Sequence, residues 1–81
     1  MEKKNLKLYD GDGQIINDYT GTIPSHWFPM KFYPSMQMIQ LSETDYQFSD
    51  SPHNAITITV PFIIEIQDRA ISIYFPIGGL K

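Results

Sequence analysis

Apolar and polar residues alternate along much of the chain, which is typical of β-strands buried on one side. The pattern is clearest in the second half. Ile56 to Val60 alternates β-branched apolar residues with threonine, a composition that favours a strand. Phe62 to Gln67 and Ile71 to Phe75 alternate in the same way around a short polar link, so they predict a hairpin. The residues expected to be buried in this hairpin are Ile64, Ile66, Ile71 and Ile73.

The first half contains a second predicted hairpin. Leu6 to Tyr9 alternates as a strand, and Gln14 to Asn17 returns as its partner. Asp10-Gly11-Asp12-Gly13 lies between them, and Asp-Gly is a favoured sequence for a two-residue hairpin turn. Tyr46 and Phe48 indicate one more strand. A Ser/Asp/Pro-rich break follows it and runs to Asn54.

The middle of the chain has a weaker pattern. Three prolines punctuate Thr20 to Pro34. Proline removes a backbone donor and fixes φ, so we expect a loop or an edge segment here. In Met36 to Leu41, the apolar neighbours Met38 and Ile39 break strict alternation. A strand with a bulge is favoured there over one short helix.

These elements predict a single all-β domain over residues 1–81, with about six short and mainly antiparallel strands. No repeat, low-complexity tract or change of composition divides the chain. A small sandwich and a barrel-like arrangement both fit the number of strands. A core of this size leaves modest stability, so association with a second copy or a partner is a natural expectation.

Charge and cysteine content narrow the function classes. Nine acidic and six basic residues give a net charge of −3, and Arg69 is the only arginine. A nucleic-acid partner is therefore not expected, because such proteins usually carry a basic stripe. The chain has no cysteine, which fits a reducing compartment. No signal peptide or 20-residue apolar stretch is evident, so we expect a complete cytoplasmic protein without a membrane anchor.

The acidic turn raises the question of a calcium site. Asp10, Asp12 and Asp18 are the weak candidates, since calcium binds carboxylate oxygens at alternate loop positions. Aligned to a helix-loop-helix calcium loop, the pattern has Leu8 at the first acidic position and Tyr19 at the glutamate position. Neither terminal position of the calcium-loop motif is matched, so a plain hairpin turn is favoured and no metal is expected.

One segment concentrates aromatic residues. Aromatic side chains, methionine and a cation are enriched at interface hot spots, and prolines stiffen a loop that carries them. The same residues also fill small cores, and stacking on single-stranded nucleic acid is a third interpretation. The candidate partner-binding residues are His26, Trp27, Phe28, Met30, Lys31, Phe32 and Tyr33.

No residue set has the spacing of a catalytic or cofactor motif. Ser25, His26 and His53 offer a hydroxyl and two bases without any recognisable nucleophile motif, and Glu65 occupies an outward strand position. We therefore expect no enzyme activity and no cofactor. The tail from Pro76 to Lys81 predicts a frayed end, or an arm that docks on a second copy through Ile77 and Leu80.

The resulting hypothesis is a non-enzymatic binding protein that acts through protein–protein contact. Acidic proteins of this size are common on phages and mobile elements, where they adapt or inhibit host machinery, although that analogy rests on size alone. One alternative is a structural subunit of a homo-oligomer. The other is a small five-stranded barrel, of the OB type, that binds single-stranded nucleic acid.

Overall fold

The fold contains eight β-strands arranged in two antiparallel sheets. A computed structural model describes residues 5–33, 35–51, 54–67 and 70–80, and these include no helix. This confirms the predicted all-β, antiparallel class, with more strands than expected. The strands are β1 (Asn5–Tyr9), β2 (Ile15–Ile16), β3 (Phe28–Phe32), β4 (Gln37–Gln40), β5 (Asp45–Ser51), β6 (Asn54–Thr59), β7 (Phe62–Gln67) and β8 (Ala70–Phe75).

The strands divide unequally between the sheets. The larger sheet has the order β2-β1-β7-β8-β3, and the smaller one has the order β4-β5-β6. Two residues, Val60 and Pro61, connect β6 of the small sheet to β7 of the large one. Their peptide bond is cis. The result is a sandwich, so the barrel-like alternative is not the one adopted.

The core lies between the two sheets. Neighbouring residues of a strand point to opposite faces, and the strand registers bring one face of each sheet to the centre. Phe62 and Ile73 from the large sheet are fully buried, as are Phe48 and Ile58 from the small one. The rest of this buried cluster consists of Tyr9, Phe32, Tyr46, Ile64 and Phe75.

Aromatic rings join the sheets at the centre of this core. The ring of Phe62 stacks on that of Tyr9, with centroids 4.7 Å apart. It also meets Tyr46 and Phe48 of the small sheet edge-on, at 5.3 and 5.4 Å. Offset and edge-to-face pairs are the favourable aromatic arrangements, so Phe62 links the sheets through specific geometry as well as burial.

The predicted hairpin is present as β7 and β8, but only part of its predicted burial is correct. Ile64 and Ile73 are buried, and Ile71 is half-buried against the core. The prediction was wrong for Ile66, which is 41% exposed. Ile66 pairs with Asn5 and Ile71 near the end of the sheet and does not join the core cluster, since the smaller sheet covers only part of the larger one.

The outer face of the large sheet is partly covered as well. Ile63 points to this face, between Leu8 and Tyr74, and only 1% of it is exposed. The Tyr19 N–H donates to the Leu6 carbonyl of β1 at 3.1 Å. From there the chain must cross to β3 at the opposite edge of the large sheet. The half-buried residues in this crossing include Ile23, Pro24 and Trp27.

Residues 37–40 form a strand, so both the helical alternative and the predicted bulge at Met36 to Leu41 were wrong. The register of β4 with β5 is regular, and the bulge of this sheet lies instead between β5 and β6, at Ser49 to Ser51. Met38 packs on the core and Ile39 faces solvent. The apolar pair broke the expected alternation because Ile39 is simply an exposed apolar residue.

The C-terminal segment up to Leu80 is not frayed, because it pairs with its own chain. Leu80 bridges to Ile58 of β6, and the Thr59 N–H donates to the Gly79 carbonyl at 2.8 Å. Gly78 reverses the chain at φ +92°, a conformation that favours glycine. Ile77 at the turn is largely exposed. The tail therefore extends the small sheet of its own chain.

Replacing Ile73 tests this assignment of the core. Ile73→Ala should lower the free energy of unfolding by about 2–5 kcal/mol, because it opens a cavity at a fully buried site. Ile66→Ala in the adjacent strand is the matched control and should cost less than about 1 kcal/mol, since its side chain is half-exposed. Urea unfolding measures both. Equal losses would contradict the observed extent of the core.

Candidate functional site

The predicted partner-binding segment forms β3 and the turn before it. β3 pairs with β8 from Phe28 to Phe32 and has no neighbour on its other side among the described strands. The expectation of a loop or edge segment is therefore met by an edge strand. Alternation directs Phe28, Met30 and Phe32 towards the small sheet, and Pro29 and Lys31 away from it.

Burial separates these residues into two groups. Phe32 belongs to the core, where its ring lies 6.0 Å from that of Phe48, and Met30 packs against the same cluster. They hold the strand in place. Phe28 is 50% exposed at the margin of the sheet, and Tyr33 just beyond the strand is 72% exposed. Phe28 and Tyr33 therefore remain accessible to a partner.

The turn before β3 positions two more of the predicted residues. The Trp27 N–H donates to the Pro24 carbonyl at 3.1 Å, which closes a tight turn. The Trp27 ring meets the His26 ring nearly at right angles, with centroids 6.4 Å apart. Trp27 is half-buried, whereas His26 is exposed. We call the exposed and half-buried residues of this segment, namely His26, Trp27, Phe28, Lys31 and Tyr33, the β3 surface. They follow the edge of the large sheet and include side chains from both of its faces.

A polar cavity of about 360 Å³ lies on the outer face of the large sheet. Its floor is made by the small residues Ser72 and Ala70 of the interior strand β8. Ser72 pairs with Glu65 on one side and Lys31 on the other, so the three form one row across β7, β8 and β3. The cavity exists because long side chains flank short ones; its walls are Glu65, Gln67, Lys31 and Tyr74.

Two cavity residues are joined by a hydrogen bond. The Tyr74 hydroxyl donates to Glu65 Oε1 at 3.2 Å. Burial raises the pKa of Tyr74 above its ordinary value, and the charge of Glu65 and this hydrogen bond raise the pKa further. The phenol therefore remains protonated at neutral pH and keeps Glu65 oriented along the wall of the cavity.

Glu65 lies at the outward strand position predicted for it, whereas the cavity that it lines was not predicted. The available signal was a pair of alternating strands whose polar residues differ greatly in length, Glu65 and Gln67 against Ala70 and Ser72. Only the observed register places the short side chains between the long ones. The contribution of Lys31 from β3 depends on a contact between distant parts of the chain.

The acidic turn is a hairpin turn in the structure. The Gly13 N–H donates to the Asp10 carbonyl at 3.0 Å, and the Asp10 N–H donates to the Gln14 carbonyl at 2.8 Å. Gly13 has φ +87°, which makes a three-residue loop ending in a left-handed glycine. The turn was predicted correctly, but it is one residue longer than the expected Asp-Gly type.

The metal candidates do not converge on one position. Asp10 and Asp12 are at the tip of the first hairpin, whereas Asp18 lies next to Tyr19, which bonds to Leu6 near the other end of β1. Within the described ranges, no three or more histidine, cysteine, aspartate or glutamate side chains lie close enough to hold one ion.

The catalytic candidates gain no support from the positions described. Ser25 and His26 are both exposed, while His53 lies outside the described residues. The predicted break from Ser49 to Asn54 was too long, because β5 continues to Ser51 and β6 begins at Asn54. Positions 52–53 of that break and 68–69 of the predicted polar link lie outside the described residues. Asp50 Oδ1 is buried and has no hydrogen-bond partner among the described residues. Over the described parts of the chain, no helix is long and apolar enough to cross a membrane.

Comparison with known proteins gives no match. No family model matches the chain, and neither a curated protein nor a solved structure is detectably similar to it. The proposals for function therefore rest on surface features of the structure itself, namely the β3 surface, the polar cavity and the edge of β4.

Proposed function

We propose that this chain is a non-enzymatic binding domain that contacts a protein partner through the β3 surface. The observation that carries the proposal is the exposure of Phe28 at the start of β3 and of Tyr33 just after its end, on either side of residues anchored in the core. Large exposed apolar side chains along one edge of a sheet are candidates for contact with a partner. We further propose a cytoplasmic location, which the lack of cysteine favours.

The support beneath this surface suits it for binding. Phe32 is 8% exposed, and β3 pairs with β8 along its whole length. A partner that covers Phe28 and Tyr33 therefore meets a strand that is already ordered, which reduces the entropy lost on binding. Aromatic anchors of this kind commonly dominate the affinity of an interface.

The partner is expected to contact side chains and not to add a strand to β3. Proline has no backbone N–H, and in sheets its nitrogen is normally found facing away from the paired strand. Pro29 thus removes a donor from the free edge of β3, the position from which an added strand would take hydrogen bonds. Recognition then depends on the rings of Phe28 and Tyr33, with Lys31 and His26 at the periphery.

Nucleic acid is a weaker candidate for the same surface. Lys31 and His26 supply its basic groups, whereas backbone binding usually requires a groove lined with several cations. The arrangement of eight strands in two sheets also differs from the five-stranded barrel on which that alternative was based.

The double variant Phe28→Ala/Tyr33→Ala tests the proposal. Host proteins captured by the wild-type domain are identified by mass spectrometry, and the most enriched one is titrated calorimetrically. The double variant should lose about 2 kcal/mol or more of binding free energy, because both rings would be anchors. Leu41→Ala, an equally exposed apolar residue of the other sheet, is the control and should bind normally.

Thermal melts separate binding from folding. The double variant should melt close to the wild type, since both side chains are half or more exposed. If it unfolds, Tyr33→Ala alone provides the binding test, because Tyr33 lies outside the strand. A folded variant that binds at full strength would place the interface elsewhere.

The exposed edge of β4 favours a second candidate function, self-association. Each of the other described edge strands has a feature that hinders pairing with a further strand. β2 has two residues, β3 contains Pro29, and the edge of β6 is partly covered by Gly79 and Leu80. β4 has none of these features, and residues 35–41 carry no charge. Two acidic copies could therefore pair along β4 with little local repulsion.

Charge placed on β4 tests this candidate. Sedimentation velocity over a wide concentration range should show a dimer for the wild type and a monomer for Ile39→Lys, because lysine on an edge opposes strand pairing. Gln47→Lys is the matched control, since Gln47 is directly opposite Ile39 but on the interior strand β5. A wild-type monomer at all concentrations, or equal loss in both variants, would contradict pairing through β4.

A further inference from the structure

The polar cavity on the outer face of the large sheet is separate from the exposed rings of the β3 surface, although both include Lys31. Neighbouring strands lie about 4.8 Å apart. Since β8 lies between β7 and β3, the backbones of Glu65 and Lys31 are separated by roughly 10 Å across Ser72. A ligand that rests on the short side chains of β8 would thus lie between the side chains of Glu65 and Lys31.

The groups around the cavity offer both donors and acceptors. Lys31 supplies an ammonium donor, Glu65 a carboxylate acceptor, and Gln67 and Ser72 can each donate and accept. The Tyr74 hydroxyl uses its proton in the bond to Glu65, so its oxygen remains able to accept. A carboxylate has about four acceptor positions, of which the Tyr74 hydroxyl uses one on Glu65.

The charge of the cavity selects against ionic ligands. Among the described residues that line it, Glu65 is the acid and Lys31 the base, so these two charges offset each other. Glu65 would repel a phosphate or carboxylate group, and Lys31 would repel a cation. A hydrophobic ligand would displace water from the polar groups of Glu65 and Gln67 and would offer them no hydrogen bonds in exchange, which is unfavourable. A neutral ligand with many hydroxyl groups has neither disadvantage.

We propose that this cavity binds a neutral polyhydroxylated ligand, a sugar of one or two rings. Its volume of about 360 Å³ lies at the small end of the range for ligand pockets. Each sugar hydroxyl can donate to Glu65 or the Tyr74 oxygen and accept from Lys31 or Gln67. The ring of Tyr74 offers an apolar surface for the C–H face of the sugar.

This site does not depend on the protein-binding function proposed for the β3 surface. Phe28 and Tyr33 do not line the cavity, so the double variant Phe28→Ala/Tyr33→Ala should bind sugar as the wild type does. Failure of either proposal would leave the other standing.

Nuclear magnetic resonance titration tests the inference with the intact chain. Glucose, galactose, mannose and N-acetylglucosamine are added separately at millimolar concentrations while backbone ¹H–¹⁵N signals are recorded. At least one of them should give saturable shifts centred on Glu65, Ser72 and Lys31. Signals of Thr57, on the outer face of the other sheet, should not move.

Two variants locate the binding. Ser72→Val raises the floor of the cavity and should weaken sugar affinity by about tenfold or more. Glu65→Gln keeps the size of the wall but removes its charge, and should weaken affinity by about tenfold, because hydrogen bonds to charged groups are stronger. Thr57→Val is the control and should bind as the wild type does. If Ser72→Val fails to fold, Glu65→Gln decides the test.

Several results would overturn the proposal. These are the absence of saturable shifts with all four sugars, shifts that centre on the small sheet, and unchanged affinity in both variants. Glycine and inorganic phosphate are titrated in parallel as ionic probes. Saturable binding of either one at these residues, without sugar binding, would assign the cavity to an ionic ligand instead.

Discussion

The contact on which the rest of the structure depends is the meeting of rings around Phe62 between the two sheets. Phe62 stacks on Tyr9 within its own sheet and meets Tyr46 and Phe48 of the other sheet edge-on. A domain of 81 residues has little apolar area to bury. Concentrating large rings at one point allows a three-stranded sheet to hold a five-stranded one.

The difference in size between the sheets explains where the exposed features lie. The small sheet covers the centre of the large one, so inward residues at its margins, such as Phe28 and Ile66, remain half-exposed. The outer face of the large sheet carries the polar cavity, where Ser72 lies between Glu65 and Lys31. Both proposed binding features therefore belong to parts of the large sheet that the small sheet does not cover.

Local sequence patterns predicted much of this fold. The strong alternation of Phe62 to Phe75 gave the central hairpin, and the glycines of the Asp10 to Gly13 turn gave the first one. These features depend on neighbours within a few residues. Ile39 was misleading because an exposed isoleucine looks like a core residue in the sequence. The prolines around β3 allowed either a loop or an edge segment, and the structure has an edge strand there.

The remaining features depend on contacts between distant residues. The exposure of Ile66 follows from how far the small sheet extends, which no local pattern encodes. The cavity depends on the register of β7 with β8. It also depends on the pairing of Lys31 in β3 with Ser72 in β8, which lies some forty residues later in the chain. Phe32 is one of the seven residues proposed to bind a partner. Its place in the core follows from its packing on Phe48, which the sequence does not reveal.

The most direct test of this account is a double-mutant cycle between Phe48 and Phe62. Phe48→Leu, Phe62→Leu and the double variant are unfolded in urea. The coupling energy is the difference between the loss of unfolding free energy in the double variant and the sum of the losses in the two single variants. Leucine keeps most of the apolar burial but removes the ring contact. A coupling of about 0.5–1.5 kcal/mol is expected, the range typical of aromatic pairs. Additive losses, with no coupling, would contradict the central role assigned to these rings.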